Sequence, residues 1–204
     1  MPTCKKGIIM DTILNIAAGK LLPIDLIKIS DPYFLINTDI MYYQNHDPKI
    51  IEEAWLNSQK LSKNRTYYCK SDIYEFMERT KILFNRVCIY RFLEHVHLDK
   101  VSYFIYLLST ITQKGSIIDI VVPNYTLLAE MILNEKIDNT FDANNILLTT
   151  ELLNQPPDPH TSIWTEERMK YFWELEGRFK VISQSPSFKF DGRDIYLRSF
   201  IQRV

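Results

Sequence analysis

The chain has 204 residues, 46% of them hydrophobic and 13% aromatic, enough for one domain with a sizeable core. A net charge of −1 gives no electrostatic pull toward nucleic acid or an anionic membrane, and no apolar run approaches the ~18 residues that span a bilayer. Cys4, Cys69 and Cys88 are odd in number and lack metal-ligand spacing, which fits reduced thiols, a cytoplasmic setting and no bound metal.

In chain order, the apolar run Ile13–Ile16 ends among the small residues Ala17, Ala18 and Gly19, the pattern of a buried parallel strand running into a tight turn. Small residues there leave backbone N–H groups within reach of a ligand. The stretch Leu21 to Ile27, interrupted by Pro23, is too short for a normal helix, and a second strand, Tyr33–Asp39, ends in an acid. Strand, small-residue turn, strand and carboxylate is how a doubly wound sheet holds an adenosine, the acid accepting the ribose hydroxyls. One glycine falls far short of G-x-G-x-x-G, so an ordinary strand and turn fit the same residues.

Pro48 opens a predicted helix from Lys49 to about Lys60, with Ile50, Ile51, Ala54 and Leu56 as its apolar stripe. A third strand covers Thr66–Lys70, a short helix Ile73–Phe84 and a fourth strand Arg86–Tyr90. Helical spacing of Val101, Phe104, Ile105, Leu108 and Ile111 predicts a helix over Asp99–Gln113, with Gly115 just past its end. Ile117–Val122 reads as a fifth strand stopped by Pro123, and Tyr125–Ile137 as a helix with an apolar side of Leu127, Leu128, Met131 and Ile132. Asp138 to His160 is polar and proline-rich. Thr165–Glu176 then reads as a helix with a threonine N-cap, closed by Gly177, and Arg178–Val204 as two strands around the turn pair Asp191-Gly192. Strands alternating with helices argue for a mostly parallel α/β sheet covered on both faces, closed by an antiparallel hairpin.

Several residues in this order resemble class I S-adenosylmethionine-dependent methyltransferases. Leu14-Asn15-Ile16-Ala17-Ala18-Gly19 is similar to the L-D-x-G-x-G turn that wraps the methionine part of the cofactor, with Asn15 in place of the acid. Asp39, with Ile40 beside it, matches the ribose acid, and Ser71-Asp72-Ile73 the turn that meets the adenine. Tyr90, Arg91 and Phe92 lead into Leu93-Glu94-His95-Val96, which resembles the L-E-H-V run of small-molecule methyltransferases. His160 followed by Trp164-Thr165-Glu166-Glu167 is similar to the stretch before the final helix of that subgroup.

The resemblance implies a doubly wound seven-stranded sheet of order 3-2-1-4-5-7-6 in a single domain over 1–204, with 124–164 as a substrate-side excursion. It implies S-adenosylmethionine as cofactor, bound by Asn15, Ala17, Gly19, Asp39, Ile40, Asp72, Ile73, Tyr90, Arg91 and Phe92, and methyl transfer by direct in-line displacement. Glu94, His95 and His160 are the candidate catalytic groups, an imidazole near neutral pKa being suited to general-base work. Each has a plainer alternative. Asp39 can be a solvated strand end, Asp72 a helix N-cap, Arg91 an edge residue, Glu94-His95 a helix start under the sheet and His160 a loop histidine. Residue types leave the acceptor open between a small metabolite, a saccharide or nucleotide, and a macromolecule. Asn15 also leaves room for a catalytically eroded fold acting as a binding or scaffold subunit. The first strand comes almost at once, so the site is expected to be roofed by the excursion or open to a large acceptor, a protein partner or a second copy.

Overall fold

The computed structural model describes residues 10–16, 32–38, 46–58, 64–134, 161–190 and 193–204. Seven strands form one sheet in the order β3-β2-β1-β4-β5-β7-β6. β1 (Asp11–Ile16), β2 (Tyr33–Thr38), β3 (Arg65–Cys69), β4 (Phe84–Tyr90) and β5 (Thr112–Pro123) run parallel. β6 (Phe179–Phe190) and β7 (Arg193–Arg203) close the sheet as an antiparallel hairpin. The described helices are α1 (Pro48–Ser58), α2 (Ile73–Arg79), α3 (Leu98–Ile111), α4 (Tyr125–Leu133) and α5 (Glu166–Glu174).

Side chains alternate across the strands, so each face has its own core. On one, Leu14, Ile16, Phe34, Val87, Ile89 and Ile120 are buried under Phe76 and Met77 of α2, Val101, Phe104 and Leu108 of α3, and Met169 and Trp173 of α5. On the other, Ile13, Leu35, Cys88, Tyr90, Val121 and Tyr196 pack with Leu128 of α4. Burial from both sides is why the central strands read as near-continuous apolar runs. No helix among the described residues is long and apolar enough to cross a membrane.

Several boundaries differ from the sequence expectation, each for a local reason. The helix begun at Ile73 stops at Arg79, because Thr80 is extended (φ −68°, ψ 140°), and Phe84 opens β4 instead. α3 buries the whole predicted stripe but ends at Ile111. Thr112 is already extended, returns its hydroxyl to the Leu108 carbonyl at 2.6 Å and starts β5. Gly115 is therefore not a helix cap. It lies at φ +89° inside β5, where three extra residues bulge between the pairs Phe84–Thr112 and Arg86–Ile117, and Ser116 Oγ bonds the Phe84 carbonyl at 2.8 Å to hold the bulge. In α1, Ile51 and Ala54 turn inward, whereas Ile50 and Leu56 are exposed. α4 buries Leu128, half-buries Leu127 and Met131, and exposes Ile132; the predicted residues 135–137 lie outside the described set. α5 follows its predicted N-cap, Thr165, and Gly177 at φ +65° follows its end.

Candidate active site

Register puts four strand ends on one line. Ile16 pairs with Thr38 on one side and Ile89 on the other, and Thr38 pairs with Cys69. The segments after β1, β2, β3 and β4 thus all leave the same carboxyl edge of the sheet, where open α/β sheets bind ligands. Ala17, Gly19, Asp39, Ile40 and His160 lie outside the described residues.

Beyond β3, Asp72 is exposed and caps α2, its Oδ1 accepting from the Tyr74 and Glu75 amides at 2.9 and 3.2 Å. Ile73 sends its side chain into the core, so what it can offer a ligand is backbone. A cavity of about 480 Å³ opens beside this turn between α1 and α2, lined by Ile51, Cys69, Ser71, Asp72, Phe76 and Arg79 among others.

At the end of β4, Tyr90 is almost fully buried, and its hydroxyl donates to Asp119 Oδ2 at 2.7 Å. Burial, with the neighbouring Cys88 and Asp119, pushes this phenol far above the ordinary tyrosine range, so it stays a donor. The side chain is thus committed to the sheet, and Tyr90 faces the edge through its backbone. Tyr90→Phe is expected to cost about 1–2 kcal/mol of stability, measured by denaturant unfolding, while ligand affinity at the edge stays unchanged. Arg91 follows at φ 53°, the left-handed region that a non-glycine residue seldom occupies, with its amide held by the Val121 carbonyl at 2.8 Å. That dihedral swings the chain sharply off β4 into Phe92 and a 3₁₀ turn at Leu93–His95.

This turn is where distant sequence converges. Glu94 is fully buried and its carbonyl accepts from the Thr161 and Ser162 amides at 2.9 and 3.0 Å. Ser162 Oγ donates to the Leu93 carbonyl at 3.0 Å, Trp164 Nε1 to the same carbonyl at 3.2 Å, and Thr161 Oγ1 to the His95 carbonyl at 2.9 Å. The Tyr125 amide at the head of α4 reaches the Trp164 carbonyl at 3.3 Å. The Thr161–Trp164 end of the excursion therefore meets the Leu93–Val96 run directly, and Tyr125 is tied to it through Trp164. Burial, and then the Glu94 carboxylate nearby, raise the Tyr125 hydroxyl well above the usual range. Ser162 and Tyr125 are members of this cluster that the motifs alone do not single out. His95 is half-buried within it.

Behind the edge, Asn15 Nδ2 donates to Asn37 Oδ1 at 2.8 Å, both residues being fully buried, and Thr38 Oγ1 donates to the Asn15 carbonyl at 3.3 Å.

No family model matches the chain, and no curated protein matches it by sequence. Solved structures do. An S-adenosylmethionine-dependent methyltransferase from Methanosarcina mazei superposes with a TM-score of 0.56 at 13% identity, over 96% of this chain and 93% of that one. The 1,6-didemethyltoxoflavin N1-methyltransferase of Burkholderia thailandensis, solved with 1,6-didemethyltoxoflavin and S-adenosylhomocysteine bound, gives 0.59 at 10% identity over 96% and 72%. The magnesium protoporphyrin IX methyltransferase of Synechocystis PCC 6803, with S-adenosylhomocysteine bound, gives 0.55 at 12% identity over 96% and 75%.

The chain has the class I methyltransferase fold. The strand order, the antiparallel β5-β7-β6 edge and the flanking helices are those implied by the resemblance. Within this fold, the carboxyl ends of β1 to β4 share one edge of the sheet, and the Leu93–Val96 cluster stands where the chain leaves β4 beside it.

Proposed function

We propose that the protein is an S-adenosylmethionine-dependent methyltransferase acting on a small-molecule acceptor. The observation that carries this reading is the alignment of four parallel strand ends with Asp72, Arg91 and Phe92 directly beyond them. The residues fit the group. The small residues Ala17 and Gly19 give a ligand access to backbone, Asp39 supplies a carboxylate for a ribose diol, and Asp72, already capping α2 through Oδ1, marks with Ile73 the adenine side. Asn15, Ile40, Tyr90, Arg91 and Phe92 complete the cofactor side of the proposal. When bound, S-adenosylmethionine supplies the activated methyl group.

Because the donor carries the activation, the protein's task is alignment, exclusion of water and, for an acceptor that must lose a proton, a base. The cluster around Glu94 and His95 meets those needs. Its 3₁₀ turn is fixed by hydrogen bonds from Thr161, Ser162 and Trp164, so side chains on it are held rigidly beside the cofactor edge. His95, and His160 by its place next to Thr161 in the chain, are the candidate imidazoles. Tyr125 is a persistent hydroxyl donor.

Asn15 in place of the acid, bonded to another amide, favours a second reading, that of a fold which binds the cofactor without turning it over. Turnover separates the two. Replacing residues 138–154 by a short linker is expected to abolish release of S-adenosylhomocysteine from S-adenosylmethionine in the presence of an acceptor, and to leave cofactor affinity within about twofold, since no cofactor contact is assigned there. Survival of both would move the acceptor site elsewhere, around Met41–His46. Cofactor binding with no turnover toward amine, hydroxyl or carboxylate acceptors would support the binding-subunit reading.

A further inference from the structure

The second face of the sheet carries an unusual row. Register sets Asn37 beside Asn15, Asn15 beside Cys88 and Cys88 beside Asp119, and all four are buried. Cys88 and Asp119 belong to the half of the row facing the terminal hairpin, where Arg198 closes the charge. Asn37 and Asn15 belong to the other half, immediately before the two segments that contain Ala17–Gly19 and Asp39.

We propose that Asn37 is a positioning residue for the cofactor turn, acting through Asn15 in place of the acid that this position has in the methyltransferase motif. The proposal rests on the cofactor reading above. Three observations support it. Asn15 is gripped twice by β2, through its side chain by Asn37 at 2.8 Å and through its carbonyl by Thr38 at 3.3 Å. Asn15 and Ile16 are the last described residues before Ala17, so Asn15 is separated from Ala17 by one residue and from Gly19 by three. Finally, Asn37 Nδ2 is a fully buried donor without an acceptor among the described residues. A buried amide left so costs stability, and a position under no other demand would be filled by an apolar side chain, as its neighbours Leu35 and Ile36 are. An aliphatic residue at 37 would pack the face equally well but would take the Asn37 bond away from the Asn15 side chain.

A neutral amide pair also has a consequence of its own. A lone aspartate buried at position 15 would carry a desolvation penalty and would need a donor; two amides hold the turn with no charge to bury.

The test is calorimetric titration with S-adenosylhomocysteine alongside thermal melting of the full chain, comparing wild type, N37L, N37D, N15L and N15L/N37L. N37L removes the bond to Asn15 and is expected to weaken the ligand about tenfold, roughly the effect of stranding one buried amide. N37D keeps an acceptor for Asn15 Nδ2 and is expected to hold affinity at pH 8 within about threefold of wild type although burying a carboxylate lowers its melting temperature. N15L/N37L should bind no worse than N15L, because residue 37 acts through residue 15. Affinity would then follow the bond and not the stability. The proposal is overturned if N37L binds like wild type, if affinity across the series simply tracks melting temperature, or if the double variant loses the product of two independent effects. Should N37L fail to fold, N37D alone decides: lost affinity in a folded N37D overturns the proposal. A wild-type chain that binds no S-adenosylhomocysteine would instead remove the cofactor reading itself.

Discussion

Asp119→Ala is expected to destabilise the fold by about 3–5 kcal/mol, the usual cost of breaking a buried ion pair by removing one partner. Asp119 is 1% exposed and sits on β5 opposite the terminal hairpin. Arg198 on β7 reaches it with two donors, Nε to Oδ1 at 3.0 Å and Nη2 to Oδ2 at 2.7 Å, and Tyr90 adds its hydroxyl to Oδ2. The guanidinium is itself sandwiched, 4.7 Å from the ring centres of both Phe188 and Phe200. Alanine at 119 leaves a half-buried cation and a buried phenol without their acceptor. Arg198→Leu is expected to be comparably costly, since it strands the carboxylate. The double change to apolar residues should cost less than the sum, because neither charge is then left alone. Denaturant unfolding of the three variants at neutral pH measures this. Single substitutions costing under about 1 kcal/mol, the worth of an exposed pair, would mean that the network does not fasten the hairpin to the parallel strands.

The second large effect is on ligand affinity. Asp39→Ala is expected to weaken S-adenosylhomocysteine by about 2–3 kcal/mol, the worth of a charge-assisted pair of hydrogen bonds to a ribose diol. Asp39 follows in the chain directly after Thr38, whose Cα pairs with Ile16 on β1 and Cys69 on β3. The fold should be indifferent to the change, with melting in the absence of ligand within a degree or two of wild type. Unchanged affinity would take the acid away from the ribose.

Much of this architecture is legible in the residues. The five-residue stripe of α3, Thr165 at the head of α5, and the alternation on either side of Asp191-Gly192 each specify one element, while the strand order comes from the family resemblance. What escapes the sequence is set by contacts across the chain. Gly115 looks like a helix end, yet its positive φ serves a bulge defined by pairing with β4, which only the sheet provides. Phe84 continues the helical spacing of Ile73 and Phe76, since one buried aromatic fits a helix stripe or a strand equally well. Nothing about arginine at 91 announces a left-handed residue. At the site, the motif positions were readable, but their partners were not. Asn37 lies 22 residues from Asn15, and Ser162 lies 69 from Leu93, distances over which no local pattern can report a hydrogen bond. A polar residue in a buried strand, such as Asn37 between Ile36 and Thr38, is the kind of local inconsistency that marks such a partner.

The most direct measurement of the central claim is calorimetric titration of the wild-type chain with S-adenosylhomocysteine. One saturable site per chain is predicted, with melting raised in step: ligand at about a hundred times its Kd should add about 2.7 kcal/mol of stability. An absence of heat together with an unmoved melting curve at saturating concentrations would contradict it, and would leave a methyltransferase fold put to another use.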